Sequence, residues 1–389
     1  MKLAFLFDVK LDKYGEDYYS INLNEELWKT RYLPYFDEIK LICRRVDIDK
    51  DPSDKMHKTN VDHVKVYSFK NRNIFSRLLH LGEESKQIEE WIKDCDAVIS
   101  RSFWGIYQAK KHNKPYMIEV VSCIWDSLWN HSIKGKILAL PTMIMMKNAI
   151  KNSPFTLYVT ERFLQEKYPS NGFEVGVSDV IIRPTSEEER KKRFIKIQNM
   201  NFKNKIKLGT AAAVDVKYKG QEFVIKAIEL LKKEGIDDIE YHLAGGGDQS
   251  RLKKLAKKLN VADNIIFHGS VRHDDIIKFL DEIDIYIQPS LQEGLPRAVV
   301  EAMSRGCPCI GSNTGGIPEL LMDDMICSKK KMSQEIVNKI KIMLCKEKMM
   351  SSAYYSFEKA QSFQKEILDT RRSDFMLKFV KYVKQNIKK

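Results

Sequence analysis

The chain has 389 residues, 43% of them hydrophobic, and a formal net charge of +13 from 66 lysine and arginine residues against 53 acidic ones. This length exceeds the about 250–300 residues that one hydrophobic core usually supports, so we expect two domains and exclude a disordered chain. The positive charge favours anionic partners, but no tract of interleaved arginine and aromatic residues indicates nucleic acid as one of them.

Neither a membrane span nor a metal site is expected. The apolar run at the start of the chain ends at Asp8, and the later run Ile137–Met146 is short and contains Pro141. A spanning helix needs about 20 apolar residues. The eight histidines are scattered, and the seven irregularly spaced cysteines are typical of reduced thiols in the cytoplasm. The sequence therefore predicts a cytoplasmic protein without a metal or a cofactor.

Short apolar runs alternate with amphipathic runs through the first half of the chain. The runs predicted as strands are Leu3–Val9, Glu38–Cys43, Val64–Phe69, Ala97–Ser100, Tyr116–Val121 and Leu157–Thr160. The runs predicted as helices are Ile21–Leu33, Ser85–Lys93 and Glu161–Tyr168. Such alternation indicates a parallel sheet covered by helices on both faces.

The second half restarts the same alternation after a polar segment, Thr185–Lys205, which we interpret as the interdomain connection, with a helix as one form that it can take. The strands predicted here are Ile206–Ala212, Ile239–Leu243, Ile265–His268, Ile283–Gln288 and Cys309–Gly311. The predicted helices are Gln221–Glu234, Gln249–Leu259, Asp274–Leu280 and Pro296–Arg305, followed by a helical, basic end from Ser351 to Lys389. Two α/β domains of the doubly wound, Rossmann-like kind are expected, with ligands beyond the carboxyl ends of the strands.

The most informative stretch runs from Gln288 to Glu301 and contains two glutamates, Glu293 and Glu301. Pro296 fits the start of a helix, whose free N–H groups form an anion site. Glu301, about one turn into that helix, can accept hydrogen bonds from the two adjacent hydroxyls of a ribose, and Glu293 from a hydroxyl of a sugar. Two solvated glutamates beside a structural helix are the alternative interpretation.

This stretch, Pro289-Ser-Leu-Gln-Glu293-Gly-Leu-Pro-Arg-Ala-Val-Val-Glu301, with Asn313-Thr-Gly-Gly-Ile-Pro-Glu319 behind it, resembles the donor signature of family 4 retaining glycosyltransferases. Most of the residues that match the family lie within roughly Leu208–Leu321, and few lie in the first half of the chain. It implies the GT-B fold, in which two Rossmann-like domains face a cleft. The implied domains are an acceptor-binding one at 1–184, a connection at 185–205, a donor-binding one at 206–350 and helices at 351–389 that pack back toward the first domain.

The resemblance also implies a cation for the diphosphate of the donor. In the family a basic residue precedes the glycine that stands here as Gly220, so Lys219 matches it and Lys217 is its near neighbour. The family usually has an arginine several residues upstream, where this chain has Ala213 and Val214. Whether Lys217 replaces that arginine stays open, and solvated surface lysines are the alternative interpretation.

The remaining donor contacts follow from the same resemblance. Gly246 lies in a glycine-rich turn that approaches the nucleotide in the family, and Val271 with Arg272 matches a segment that meets the base. A plain connection and a surface arginine are the alternatives for these two segments. The predicted donor-binding residues are Lys217, Lys219, Gly246, Val271, Arg272, Glu293, Gly294, Leu295, Pro296, Arg297 and Glu301.

The acceptor side has weaker signals. The family's glycine-rich turn after the first strand is replaced by a longer segment with Tyr14 and Gly15, and no histidine ends the middle strand that holds Glu119. We expect acceptor contacts from Tyr14, Gly15, Arg101, Glu119 and Asp126, with Arg101 as a phosphate ligand and Asp126 as a base. The predicted catalytic residues are Glu293, Lys219 and Asp126.

A basic segment rich in methionine, residues 132–152, contains four lysines and no acidic residue. Such a sequence fits an anionic membrane surface at the inner face of the plasma membrane, and a buried helix hairpin with solvated lysines fits equally well.

The function predicted from these residues is transfer of a sugar from a nucleoside diphosphate to a glycan or lipid-linked hydroxyl, in the synthesis of bacterial surface polysaccharide. Three alternatives are weighed against it. A nicotinamide-dependent dehydrogenase lacks its G-x-G-x-x-G motif after a first strand. A non-catalytic scaffold with a decayed donor site and a GT-B epimerase both stay open.

Overall fold

A computed structural model describes residues 1–72, 81–129 and 133–387. Ser132, the first residue of the basic segment 132–152, lies outside the described residues, as do Lys388 and Lys389 at the end of 351–389. The chain forms two compact units. The first contains Met1–Ile124, Leu138–Val177 and the residues from Asp369 onward, and the second contains Trp125–Ile137 and Ser178–Leu368.

The first unit is built on a mainly parallel sheet. Its strands are β1 (Lys2–Tyr14), β2 (Asp17–Ser20), β3 (Glu38–Asp47), β4 (His57–Lys58), β5 (Val64–Lys70), β6 (Ala97–Ser100), β7 (Tyr116–Val120), β8 (Phe155–Tyr158) and β9 (Phe173–Gly176). The parallel order is β5-β3-β1-β6-β7-β8-β9, and β2 and β4 extend it antiparallel beside the end of β1.

The first strand differs from its expected extent. It continues past Val9 to Tyr14, with a shift in its pairing with β3 between Leu6 and Lys10. Where the resemblance implies a turn, the chain instead forms a strand and a hairpin, because Tyr14 pairs with Asp17 across the two residues Gly15 and Glu16. The first domain therefore departs from the family pattern at the edge where an acceptor is expected.

Helices alternate with the strands of both sheets in the part of the chain that the structure describes. They are α1 (Glu25–Arg31), α2 (Leu81–Ile92), α3 (Phe103–Lys111), α4 (Ile124–Trp129), α5 (Ile133–Lys151), α6 (Phe163–Lys167), α7 (Glu187–Gln198), α8 (Gln221–Lys233), α9 (Ser250–Lys258), α10 (His273–Glu282), α11 (Arg297–Ser304), α12 (Met332–Met343), α13 (Lys346–Gln361) and α14 (Lys365–Asn386). Within the described residues, none of them is long and apolar enough to cross a membrane.

The second unit contains a sheet of six parallel strands. They are β10 (Ile206–Ala211), β11 (Ile239–Ala244), β12 (Ile265–Gly269), β13 (Ile285–Gln288), β14 (Cys309–Ser312) and β15 (Ile326–Cys327). Their order, β12-β11-β10-β13-β14-β15, reverses direction between β10 and β13. Doubly wound sheets bind ligands at such a switch point, at the carboxyl ends of the strands.

The predicted connection, 185–205, belongs to the second unit, whose boundary lies at Val177/Ser178 rather than after residue 184. Most of this segment forms α7, which begins with a reciprocal pair of hydrogen bonds between Ser186 and Glu189. The buried Arg193 fixes this helix, since its guanidinium donates to backbone carbonyls of Leu280, Ile283 and Arg305. A helix in this segment agrees with the sequence interpretation, and its polar composition gives α7 a solvated outer face.

The two C-terminal helices belong to different units. Met349 and Ala353 of α13 lie in the core of the second unit. Phe375 and Phe379 of α14 pack edge-on against Phe155 in the core of the first unit. Only the part from Asp369 onward is therefore assigned to the first unit, whereas the sequence suggested the whole of 351–389.

Candidate functional site

Two loops meet at the switch point of the second sheet, one after β10 and one after β13. Gly220 takes a left-handed conformation (φ 74°), and a side chain there would begin 2.0 Å from the carbonyl oxygen of Pro289. The backbone N–H of Leu291 donates to the carbonyl of Tyr218 at 2.7 Å. This close packing places Lys219, from the first loop, beside Glu293, from the second.

Glu293 accepts three hydrogen bonds on one carboxylate oxygen. The donors to its Oε1 are the Lys219 ammonium at 2.8 Å, the Ser290 hydroxyl at 2.7 Å and the Gln288 amide at 3.0 Å. The Glu293 side chain is 9% exposed and that of Lys219 is 23% exposed. A largely buried carboxylate is thus paired with a cation that solvent still reaches.

A further pair of hydrogen bonds fixes the orientation of Gln288. The Tyr286 hydroxyl donates to Oε1 of Gln288 at 2.8 Å and accepts from the backbone N–H of Ala211 at 3.3 Å. Burial raises the pKa of Tyr286 well above its usual value, so its hydroxyl remains a neutral donor. The amide nitrogen of Gln288 therefore points to Glu293.

Gln288 and Ser290 were not among the site residues predicted from the sequence. The available signal was a glutamine at the end of the apolar strand β13, where burial of an amide requires a partner. A serine three residues before a glutamate was a second, weaker signal.

Helix α11 begins directly after this cluster. Pro296 precedes its first residue, and no side chain caps it. Backbone N–H groups of the first turn are unsatisfied within a helix, so this end can receive an anion. Glu301, the fifth residue of α11, is 8% exposed. Arg297 is exposed at the first position of the helix.

The loop after β14 supports the segment that carries Glu293. Gly315 is left-handed (φ 57°), and a side chain there would begin 2.3 Å from the Glu293 carbonyl oxygen. The N–H of Gly316 donates to the Gly294 carbonyl at 2.7 Å, and Leu295 packs against Gly316. The two glycines are thus needed for close contact between the loops.

The glycine-rich turn after β11 contacts the loop after β10. The N–H of Val214 donates to the Gly246 carbonyl at 3.0 Å, and a side chain at Gly246 would meet the Ser270 hydroxyl. Val271 packs against the core. Arg272 is held elsewhere, because its guanidinium pairs with Asp275 and its side chain is 85% exposed. Lys217 is exposed.

Of the acceptor-side candidates, Glu119 and Arg101 form a buried pair in the first unit. Glu119, on β7, is 1% exposed and accepts from the Arg101 guanidinium on Oε2 and from the Tyr32 hydroxyl on Oε1, both at 2.8 Å. The Arg101 guanidinium lies over the Phe7 ring at 4.8 Å. Burial, with the charge of Glu119 as a second cause, raises the pKa of Tyr32. Both carboxylate oxygens are occupied, which favours a structural role for this pair over acceptor binding.

The other acceptor-side candidates lie on separate elements. Tyr14 is 38% exposed at the end of β1, and Gly15 (φ 58°) forms the turn that follows. Asp126 lies in the first turn of α4, where Trp125 and Trp129 stack at 4.9 Å.

Comparisons with known proteins agree with this architecture. The sequence profile of the group 1 glycosyl transferases matches residues 191–359. Protein CapJ of Staphylococcus aureus is 38% identical over 333 residues, 81% of this chain and 80% of CapJ. The amylovoran biosynthesis glycosyltransferase AmsK of Erwinia amylovora is 36% identical over 110 residues, 26% of this chain and 27% of AmsK.

Solved structures share the fold at low identity. Sucrose-phosphate synthase from Thermosynechococcus elongatus has a TM-score of 0.66 at 14% identity, over 97% of this chain and 98% of that one. HepE from Anabaena, in complex with UDP, has a TM-score of 0.66 at 16% identity, over 97% of this chain and 100% of that one. The protein has the GT-B fold with two Rossmann-like domains, as predicted. The chain belongs to the group 1 glycosyltransferases.

Proposed function

We propose that the protein is a retaining, metal-independent glycosyltransferase that moves a sugar from a nucleoside diphosphate to a hydroxyl of a glycan or lipid-linked acceptor. The observation that carries this proposal is the Lys219–Glu293 pair beside the uncapped start of α11. It combines a cation and a helix N-terminus for the diphosphate with a carboxylate for the sugar.

Lys219 is the cation for the leaving diphosphate. Negative charge grows on the diphosphate as its bond to the sugar breaks, and a fixed ammonium nearby stabilises that charge. Lys219 is partly exposed and donates a hydrogen bond to one oxygen of Glu293. A phosphate oxygen can therefore compete with Glu293 for the Lys219 ammonium. Glu293 can then accept a hydrogen bond from a sugar hydroxyl while Gln288 and Ser290 keep it in place.

Glu301 binds the ribose in this proposal. Its place one turn inside α11 puts a largely buried carboxylate behind the helix end that receives the diphosphate. A carboxylate pairs well with two adjacent hydroxyls because each of its oxygens can accept from one of them.

The chemical step needs no nucleophile from the protein. The bond from the anomeric carbon to the diphosphate oxygen breaks, and the acceptor oxygen forms the new bond on the same face of the sugar. The acceptor proton passes to the departing diphosphate. Asp126 is the base candidate if the proton goes to the protein instead.

The biological setting is proposed from the relatives. AmsK is named for the biosynthesis of amylovoran, and a relative in Escherichia coli is named for colanic acid. These names support a role in polysaccharide biosynthesis. The cytoplasmic location and the acceptor, a glycan or a glycan carried on a lipid, are further parts of the proposal.

Donor binding tests the proposal most directly. A thermal-shift panel of nucleoside diphosphate sugars, beginning with the UDP-glucose bound in a structure of HepE, should raise the melting temperature for the true donor by mass action. Chelation of divalent cations should leave that shift unchanged. The NMR anomeric configuration of the product then tests retention.

Three results would point elsewhere. Absence of any shift across the panel would favour a scaffold with a decayed donor site. Conversion of the donor sugar into its epimer without an acceptor would favour an epimerase. Loss of the shift on chelation would contradict the metal-independent mechanism.

A further inference from the structure

Helix α5 presents an apolar stripe to solvent. Ile137, Leu140, Ile144 and Met145 are 73, 52, 56 and 47% exposed, and their spacing places them on one side of the helix. Ala139, Met146 and Ile150 on the opposite side are buried. The helix therefore packs through one apolar face and leaves a second one uncovered, whereas an ordinary surface helix is polar on its outer face.

Positive charge accompanies this stripe. Lys134, Lys136, Lys147 and Lys151 are exposed on the same helix, and the sequence contains no acidic residue between Asp126 and Glu161. An apolar face flanked by lysines matches a bilayer interface, where apolar side chains enter the acyl boundary and lysines meet anionic headgroups.

We propose that α5 docks the protein on an anionic lipid surface, lying in its plane with the stripe buried in it. This inference goes beyond the proposed function, since docking requires neither donor nor transfer. Of the two interpretations of segment 132–152, the exposed stripe favours the membrane surface. A buried helix hairpin would cover Ile137, Leu140 and Ile144, which are exposed.

A second copy of the chain is the main competing occupant. A symmetric dimer through this stripe would bring α5 against its own copy, and the lysines of both copies would face each other. Like charges brought together at an interface oppose association, whereas anionic lipid neutralises them. The charge pattern therefore favours lipid.

Vesicle flotation tests the proposal. The full chain should float with vesicles of equal parts phosphatidylglycerol and phosphatidylcholine, and much less with phosphatidylcholine alone or at high salt. The double variant Leu140→Ser/Ile144→Ser should lower the partition coefficient at least tenfold. Leu377→Ser/Ile342→Ser, at similarly exposed apolar positions on other helices, is the matched control and should bind as the original chain does.

Charge is tested separately. Lys147→Gln and Lys151→Gln should each lower partition into the anionic vesicles about fivefold, while Lys330→Gln, on another exposed segment, should not. Binding that is unchanged in both sets of α5 variants would overturn the proposal. So would a dimer in light scattering that Leu140→Ser/Ile144→Ser converts to a monomer without any vesicle binding. Donor affinity by calorimetry should be equal in all of these variants, which separates failure here from failure of the donor site.

Discussion

Each unit contains an ion-paired glutamate near the carboxyl ends of its parallel strands. The two ion pairs differ in how far solvent reaches them and in how the carboxylate is hydrogen-bonded. Glu119 pairs with Arg101 at 2.8 Å, with side-chain exposures of 1% and 8%, and both of its carboxylate oxygens accept hydrogen bonds. Glu293 pairs with Lys219 at the same distance, but the lysine is 23% exposed and the three bonds described above converge on one oxygen.

This difference separates a structural ion pair from a candidate site. The Arg101–Glu119 pair lies among aromatic rings, and a ligand that disturbed it would strand a charge in the core. The Lys219–Glu293 pair can open toward solvent while Gln288 and Ser290 retain the carboxylate. The same type of contact at the same place in the fold therefore indicates different roles.

The largest expected effect is on stability, in the first unit. Arg101→Met should lower the free energy of unfolding by about 3–5 kcal/mol, because it leaves Glu119 as a buried charge without its cation. Urea denaturation followed by circular dichroism measures the change. The double variant Arg101→Met/Glu119→Gln should recover part of the loss, since the uncompensated charge is gone. A loss below about 1 kcal/mol in the single variant would contradict the structural interpretation of this pair.

The second effect is on catalysis, in the second unit. Lys219→Met should lower kcat by about 10²–10³, because a fixed donor for the transition-state charge is removed. Its free energy of unfolding should fall by less than that of Arg101→Met, because Gln288 and Ser290 still donate hydrogen bonds to the Glu293 carboxylate. Lys217→Met is the matched control at the neighbouring, exposed lysine. Equal losses in both variants would mean that Lys217 replaces the upstream arginine of the family.

Periodicity and motif were sufficient to predict much of the second unit. The strand β13 follows from an apolar run that ends before Pro289, and the start of α11 follows from Pro296, and both are local signals. The contact of Lys219 with Glu293 was not predictable in detail. It depends on the packing of Gly220 against Pro289, in the two loops that follow β10 and β13. The positions of Gln288 and Ser290 depend on the same long-range packing.

The first unit was less predictable for a physical reason. The extension of β1 to Tyr14 rests on pairing with β2 and β3, which no local pattern encodes. Arg101 and Glu119 looked like ligands because charges at strand ends often are. They are buried together with Tyr32, which directly follows α1 and donates a hydrogen bond to Glu119. Because Tyr32 is far from Glu119 in the sequence, no local pattern predicts this contact. The acceptor site therefore has no sequence signature of the kind that Glu293 and Glu301 provide.

The third effect concerns donor affinity. Glu301→Gln should weaken binding of the donor by about 1–3 kcal/mol, or roughly 5- to 150-fold, because a neutral amide cannot accept from both ribose hydroxyls. Isothermal calorimetry measures this change. Glu282→Gln, at an exposed glutamate ending α10, is the control and should bind the donor as the original chain does. Unchanged affinity in Glu301→Gln would remove Glu301 from the site.

The smallest effect is expected at Arg272, which lies in the segment that resembles the one meeting the base in the family and for which a surface position was the alternative interpretation. Its side chain is 85% exposed and paired with Asp275, and exposed ion pairs contribute about 0–1 kcal/mol. Arg272→Ala should therefore change donor affinity by less than about 0.5 kcal/mol, or roughly twofold, in the same calorimetry. A tenfold loss would mean that Arg272 leaves Asp275 to reach the bound nucleotide. In that case the donor site would extend to the end of β12, and its contacts would exceed those that the Lys219–Glu293 cluster provides.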